Sequence, residues 1–180
     1  MTGFRFNDVH CRDFFITMRS VDRTTLPPLR RREIAVPGRH GRYDFGENKY
    51  DNRTISIEVF IEASNLAQLR QRVRNVAGWL KNKGRLAFDD EPDKFYVGRL
   101  YNQVPLDQVA RNGRALLVFD VEPFAYGELI SDQVTRTDET PLNLFVSGTE
   151  ESPAEYTIIN DGESPVENIR VKIVQPIIGG

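Results

Sequence analysis

The stretch that decides the fold is Val36-Pro37-Gly38-Arg39-His40-Gly41-Arg42-Tyr43-Asp44-Phe45-Gly46. Proline followed by glycine favours a tight turn, because glycine adopts backbone angles that are closed to other residues. The segment lacks a Lys-Ser or Lys-Thr pair and leads into a strand, which excludes a phosphate-binding loop. We predict a structural loop in which the last two members pack or hydrogen-bond across the turn: Pro37, Gly38, Arg39, Gly41, Tyr43 and Asp44.

A strand and an amphipathic helix follow this loop. Apolar and polar residues alternate strictly over residues 54–61, which predicts a half-buried strand. Ser64 or Asn65 caps a predicted helix that runs to about Lys83, and Gly84 is expected to end it in a left-handed conformation. Apolar residues at spacings of three and four form the face that packs on the sheet: Leu66, Leu69, Val73, Val76 and Leu80. Polar and basic residues form the opposite face and are predicted to be solvated: Gln68, Arg70, Arg72, Arg74 and Lys81.

Short β-strands account for most of the remaining regular structure. Apolar runs bounded by turn residues predict strands at 4–6, 14–18, 30–36, 85–88, 94–101 and 115–122. The strands at 85–88 and 94–101 form a predicted hairpin whose turn spans residues 89–93. Three further strand-like pieces, at 144–146, 156–159 and 169–174, predict a partial β-sandwich. The fold class is therefore mainly β with one α-helix.

Composition limits the classes of protein to consider. The 180 residues are 39% hydrophobic and 28% charged, and they contain no apolar run near the roughly 20 residues of a membrane-spanning helix. We therefore expect no membrane insertion. The first residues have no secretory signal and Cys11 is the single cysteine, so we expect synthesis and assembly in a reducing cytoplasm.

Charge divides the chain near residue 126. Residues 1–125 contain 21 Lys and Arg against 16 Asp and Glu, whereas residues 126–180 contain 3 against 10. We predict two domains with this boundary, 1–125 and 126–180. The acidic total, and the lack of a basic strip interleaved with aromatic residues, argue against sequence-specific nucleic-acid binding.

Candidate catalytic and metal-binding groups are few. His10 and Cys11 are adjacent, and neighbours on a strand point to opposite faces, so we expect no nucleophile–base pair from them. His40 is distant in sequence. Asp89, Asp90, Glu91 and Asp93 lack the spacing of a calcium loop and are expected to be solvated acids in a turn. We predict no catalytic residue, no metal site and no cofactor.

The order of these motifs resembles the amino-terminal domain of the distal tail proteins of long-tailed bacteriophages. The resemblance rests on the strand at 4–7, the loop at 36–44, the strand entry at 52–55, the helix end at Trp79-Leu80, the hairpin at 86–96 and the closing residues 119–123. It implies a split β-barrel or sandwich of the tail-tube type flanked by a helix. Many members continue into a complete galectin-like domain, whereas the 126–180 segment here matches a truncated or abbreviated one.

The resemblance also implies a function and partners. Six copies of such a domain form a ring at the distal end of the tail tube, which acts as the baseplate hub in the virion tail tip. The implied partners are further copies of the chain, the tail-tube protein, the tail-associated lysin or fibre protein and the receptor-binding protein. The alternatives are a tail-tube or tube-terminating protein and a cell-wall carbohydrate-binding module, the latter needing exposed aromatic residues on a concave sheet. An enzyme is not expected.

Overall fold

The computed structural model describes residues 3–45, 49–102, 113–129, 131, 133, 150 and 155–165. The chain divides into two compact units, Met1–Leu129 and Ile130–Gly180. Residues 126–127 form a short strand that pairs with residues 94–95 of the first unit. The first unit therefore extends past residue 125, where the sequence analysis placed the boundary.

An antiparallel sheet of eight strands forms most of the first unit. In chain order the elements are β1 (Phe4–Phe6), β2 (Val9–His10), a 3-10 helix (Cys11–Phe14), β3 (Ile16–Arg23), β4 (Glu33–Ala35), β5 (Arg42–Asp44), β6 (Arg53–Ile61), α1 (Leu66–Leu80), β7 (Gly84–Phe88), β8 (Glu91–Leu100), β9 (Arg114–Val121) and β10 (Tyr126–Gly127). The sheet order is β2-β1-β7-β8-β9-β6-β3, and β10 pairs with the first half of β8. Strands β4 and β5 form a separate two-stranded sheet. The predicted mainly β fold with one helix is confirmed.

The core lies between the inner face of this sheet and α1. Strand β6 alternates as predicted, with Ile55, Ile57, Val59 and Ile61 buried and the residues between them more exposed. Aromatic and aliphatic side chains from β1, β7 and β9 complete the same cluster. Burying one such side chain stabilises the fold by roughly 1.5–3 kcal/mol.

Helix α1 covers the core with a narrower face than predicted. Asn65 caps it by accepting a hydrogen bond from the Gln68 amide at 2.9 Å, and Leu69, Val76 and Leu80 are buried, with Val73 packed beside them. The prediction was wrong for Leu66, which is 47% exposed because it lies in the first turn beyond the sheet contact. Arg72, which was predicted to be solvated, also contacts other parts of the chain.

Arg72 lies on the Phe15 ring and donates to the backbone carbonyl of Glu62. Its guanidinium carbon is 3.5 Å from the ring centroid. Phe15 holds a left-handed conformation at the end of the 3-10 helix, with φ of 59°, which turns its ring toward solvent and toward α1. The arginine therefore joins the helix to the start of β3.

Other predicted boundaries shift by a few residues. The strand predicted at 14–18 begins at Ile16, because the chain first turns through the 3-10 helix. Gly84 starts β7 and does not end α1, whose C-cap is Lys81 in a right-handed conformation. The predicted hairpin of strands 85–88 and 94–101 is confirmed, but its turn is only Asp89-Asp90 and β8 already begins at Glu91.

The second unit is described only in part. Residues 155–165 are exposed, and the strand predicted at 156–159 is absent from this described segment. The strands predicted at 144–146 and 169–174 lie outside the described residues.

Candidate functional site: an exposed arm

Residues 28–45 and 49–51 belong to an arm that leaves the main sheet between β3 and β6. Its base is held by backbone hydrogen bonds from Arg30 to Lys49 and from Asp51 to Pro28, and by a hydrogen-bonded ion pair between Arg30 and Asp51 at 2.7 Å. Tyr50 anchors the base through an edge contact with Phe124, with ring centroids 5.4 Å apart. The tip is the β4–β5 hairpin. The arm is therefore tied to the first unit at its base.

The predicted structural loop makes the turn of this arm. Pro37 and Gly38 occupy its two central positions, Gly38 has φ of +82°, and the Arg39 amide donates to the Val36 carbonyl at 3.2 Å. These features define a type II turn, which requires a positive φ at its third residue. Gly41 has φ of +80° and returns the chain to β5.

Replacing either turn glycine is expected to loosen the arm. A Cβ at Gly38 or Gly41 meets nothing within 4 Å, so the cost of Gly38→Ala or Gly41→Ala is backbone strain of about 1 kcal/mol. Amide hydrogen exchange should therefore accelerate about fivefold at Arg39 and Phe45, whose amides donate to Val36 and Arg32. His40→Ala is the control and should change neither amide; acceleration as large as that of Gly38→Ala would contradict the assignment.

The arm exposes large apolar side chains beside cations. Ile34, Val36, Tyr43 and Phe45 are between 45% and 53% exposed. The Arg39 guanidinium lies 5.7 Å from the centroid of the Tyr43 ring, which in turn meets Phe45 edge to face at 5.1 Å. Arg42 pairs with Glu33 across the hairpin at 3.4 Å. Such a patch of rings and arginines is the composition found at the centre of protein interfaces.

The His10–Cys11 pair is closer than the sequence predicted. The chain leaves β2 for the 3-10 helix at this point, so the two side chains fall on the same side, with His10 Nδ1 3.7 Å from Cys11 Sγ. Asp89 approaches His10 Nε2 at 3.2 Å with both carboxylate oxygens. The three groups thus have the order of a thiol, a base and an orienting acid.

This arrangement caps the 3-10 helix and does not activate the thiol. The Arg12 amide donates to His10 Nδ1 at 3.0 Å, so the one lone pair of that nitrogen is occupied and Nε2 carries the proton that is donated to Asp89. Burial raises the pKa of the Cys11 thiol, which is 1% exposed. Burial alone would raise the pKa of Asp89, but the hydrogen bond from His10 opposes it, and the pKa of that carboxyl is lowered.

The predicted cluster of acids, at the β7–β8 turn and the start of β8, is mostly exposed, and three of its members also pair with cations. Arg23 bonds Asp90 and also lies 3.6 Å from Glu91, while Lys94 lies 3.5 Å from Glu91 and 3.6 Å from Asp93. Among the described residues, no group of three or more His, Cys, Asp or Glu side chains is placed to hold a metal ion.

Glu122, the residue that follows β9, makes the free energy of unfolding depend on pH. It accepts hydrogen bonds from Lys83 at 2.5 Å and from the Tyr126 hydroxyl at 2.6 Å, and these bonds lower its pKa against the effect of burial. A carboxyl whose pKa is lower in the folded state stabilises it above the ordinary pKa of about 4.5. That contribution disappears as the pH falls through the folded value.

Glu122→Gln is therefore expected to reduce the free energy of unfolding at pH 7 by at most about 1 kcal/mol, since the group is partly solvated. The difference from wild type should vanish well below pH 4, where the carboxyl is protonated in both states. Urea unfolding at a series of pH values measures both the loss at pH 7 and its disappearance at low pH. Glu128→Gln, at an exposed acid in the same segment, is the control. A difference for Glu122→Gln that stayed constant with pH would contradict this role.

The sequence of the chain matches a known family of phage proteins. The family described as the phage tail protein RIFT-related domain matches residues 9–121, more than half of the chain. The chain is a member of this family. Membership confirms the resemblance seen in the sequence and makes the protein a phage tail component.

The fold of this phage tail protein is similar to that of a solved hub protein. The crystal structure of Dit (gp 19.1) of phage SPP1, described as a paradigm of the hub adsorption apparatus in phages that infect Gram-positive bacteria, superposes with a TM-score of 0.60. The two chains share 16% identity over 71% of this chain and 52% of Dit, so this chain spans about half the length of Dit. No curated protein sequence matches the chain. Within the described residues, no helix is long and apolar enough to cross a membrane.

Sequence reasoning located the turn of the arm but missed its apolar surface. The signal was present, because apolar residues recur at alternate positions in Ile34-Val36 and in Tyr43-Phe45, as on one face of a hairpin. Cross-strand pairing of Ile34 with Tyr43 brings the two sets together. Apolar residues that alternate along a strand and do not face a core indicate an interface.

Proposed function

We propose that six copies of this phage tail protein form a ring at the distal end of the tail tube, in the virion tail tip. There the ring acts as the baseplate hub. One side of it meets the tail-tube protein, and the other attaches the tail-associated lysin or fibre protein and the receptor-binding protein. The observation that carries the proposal is the exposed arm of residues 28–45 and 49–51.

The arm has surface that its own chain does not cover. An isolated two-stranded hairpin is marginally stable in water, and this one leaves four large apolar side chains about half exposed. Packing against a neighbouring copy would remove that surface from water and stabilise the hairpin. Because the same contact is available to every copy, assembly follows from the geometry of one subunit.

The edge strand β3 is the surface we assign to the neighbouring arm. It is eight residues long and lies at the end of the sheet, and no described strand pairs with its outer side, so it offers backbone groups for sheet extension. A shallow groove across β3, β6 and β9 is lined by Asp22, Glu58, Leu116 and Arg114 among others. Acidic and apolar groups there complement the arginines and apolar residues of the arm.

An arm-to-edge contact is heterologous, since the two surfaces differ. Heterologous contacts form a closed ring when the rotation between subunits divides a full turn, and an open helix when it does not. The number six comes from the resemblance to distal tail proteins. A single closed ring distinguishes a hub from a tail-tube protein, whose rings stack repeatedly.

The location is tested by labelling intact virions with antibodies raised against this chain. Electron microscopy should find the label at the tail tip, distal to the tube, on nearly every labelled particle. Label distributed along the tube would favour the tail-tube alternative. Label at the head, or on no virion, would overturn the proposal.

A further inference from the structure

Helix α1 carries a straight basic stripe formed by Arg70, Arg74 and Lys81. At about 100° per residue, spacings of four and eleven place the three side chains within about 40° of arc. All three are exposed, and none makes a hydrogen bond or ion pair with a described residue. The helix contains no acidic residue, so the i, i+4 pair Arg70 and Arg74 is mutually repulsive.

The stripe is accessible to another chain. Ala77 and Gly78, which lie between Arg74 and Lys81, are exposed, and a Cβ built on Gly78 meets nothing within 4 Å. The core face of α1, at Leu69, Val76 and Leu80, is centred about 120° around the helix from the stripe. A partner with negative charge can therefore lie along the stripe without disturbing the core.

Residues 155–165 have the complementary chemistry. Glu155, Asp161 and Glu163 are exposed and make no hydrogen bond or ion pair with a described residue. The Asn160 side chain organises the turn that presents the last two, accepting from the Gly162 amide at 3.0 Å and donating to the Ser164 carbonyl at 2.9 Å.

The same segment exposes apolar groups along an irregular stretch. Tyr156, Ile158 and Ile159 are between 51% and 71% exposed. A segment with free carboxylates and uncovered apolar side chains suits docking against another surface. It also belongs to the acidic part of the chain, residues 126–180, with 10 Asp and Glu against 3 Lys and Arg.

We propose that the basic stripe of α1 binds residues 155–165 of a second copy of this chain. The inference rests on the proposed self-assembly, which makes the acidic segment of a neighbouring copy available at every position of the ring. It assigns the second unit a role in joining adjacent subunits. Attraction between three cations and three carboxylates at a solvated surface is sensitive to salt.

Zero-length cross-linking with a carbodiimide tests the contact on the full chain. An equal mixture of ¹⁴N- and ¹⁵N-labelled protein is cross-linked, and mass spectrometry identifies links that join one isotope to the other. We expect mixed-isotope links from Lys81 to Glu155, Asp161 or Glu163. At 500 mM NaCl, where the Debye length is about 4 Å, their yield should fall at least about threefold.

Matched variants test the basic side of the contact. Arg70→Gln with Arg74→Gln keeps Lys81 as the reporter and should lower the mixed-isotope yield at least about threefold. The control, Arg5→Gln with Arg99→Gln, removes the same charge at exposed positions of β1 and β8 and should leave the yield unchanged.

The acidic side is tested with Glu155→Gln and Glu163→Gln together, which leaves Asp161 as the remaining acceptor of the link. The yield of mixed-isotope links from Lys81 to Asp161 should then fall at least about threefold, because two of the three carboxylates that attract the stripe are gone. An unchanged yield at Asp161 would overturn the inference.

Sedimentation velocity on the same samples separates this inference from the proposed function. Rings without mixed-isotope links from Lys81 to residues 155–165 would overturn the inference and leave the ring intact. Absence of both rings and links would overturn both. Equal loss of links in the stripe variant and its control, or stripe-dependent binding of a 40-base-pair duplex DNA without the links, would also overturn the inference.

Discussion

Trp79→Ala is expected to lower the free energy of unfolding by about 3 kcal/mol. The indole ring stacks on Phe4 and Phe14, with ring centroids 5.8 and 4.5 Å apart, and its Nε1 donates to the Phe6 carbonyl at 3.0 Å. It therefore joins the end of α1 to β1 and to the 3-10 helix. Removing it leaves both a cavity between these elements and a carbonyl without its donor.

Urea unfolding of two companion variants checks this explanation. Trp79→Phe keeps a ring in the stack but loses the hydrogen bond, so its loss should be intermediate. Leu66→Ala lies on the same helix at a side chain that is 47% exposed and should cost less than about 1 kcal/mol. Similar losses for Trp79→Ala and Leu66→Ala would mean that the helix is not attached through its C-terminal end.

Self-association is expected to weaken about 100-fold when Ile34 and Tyr43 are both replaced with glutamate. These residues are cross-strand partners at the tip of the arm and are 53% and 47% exposed. Each substitution removes apolar burial at the subunit contact and introduces a charge there, and about 1.4 kcal/mol per site corresponds to a factor of ten. Sedimentation velocity over a concentration series measures the change.

The control for this pair is Tyr101→Glu with Leu129→Glu, which alters one tyrosine and one aliphatic residue at exposed positions outside the arm. Self-association of the control should match that of wild type. Circular dichroism should find the same fold in both variants, because neither pair contributes to the core. Equal weakening by both pairs would remove the arm from the interface.

Local patterns in the sequence predicted the elements that depend on near neighbours. Strand β6 and helix α1 were predicted because alternation and the three-to-four spacing are set by the period of each element. The turn at Pro37-Gly38 was predicted because the backbone angles of these two residue types are restricted.

The same reasoning from local patterns could not predict long-range contacts. The exposure of Leu66 depends on where α1 crosses the sheet, and the contact of His10 with Asp89 joins residues 79 positions apart. Arg72 was read as solvated because the left-handed turn at Phe15, which brings the ring beneath it, has no local signature in a phenylalanine. Such contacts require the assembled sheet.

The ring itself is tested most directly by negative-stain electron microscopy of the full chain mixed with its tail-tube protein. Averages of the particles should contain single rings with sixfold symmetry and an open lumen at the tube ends. Stable monomers, twofold dimers or rings that stack repeatedly under these conditions would contradict the hub assignment.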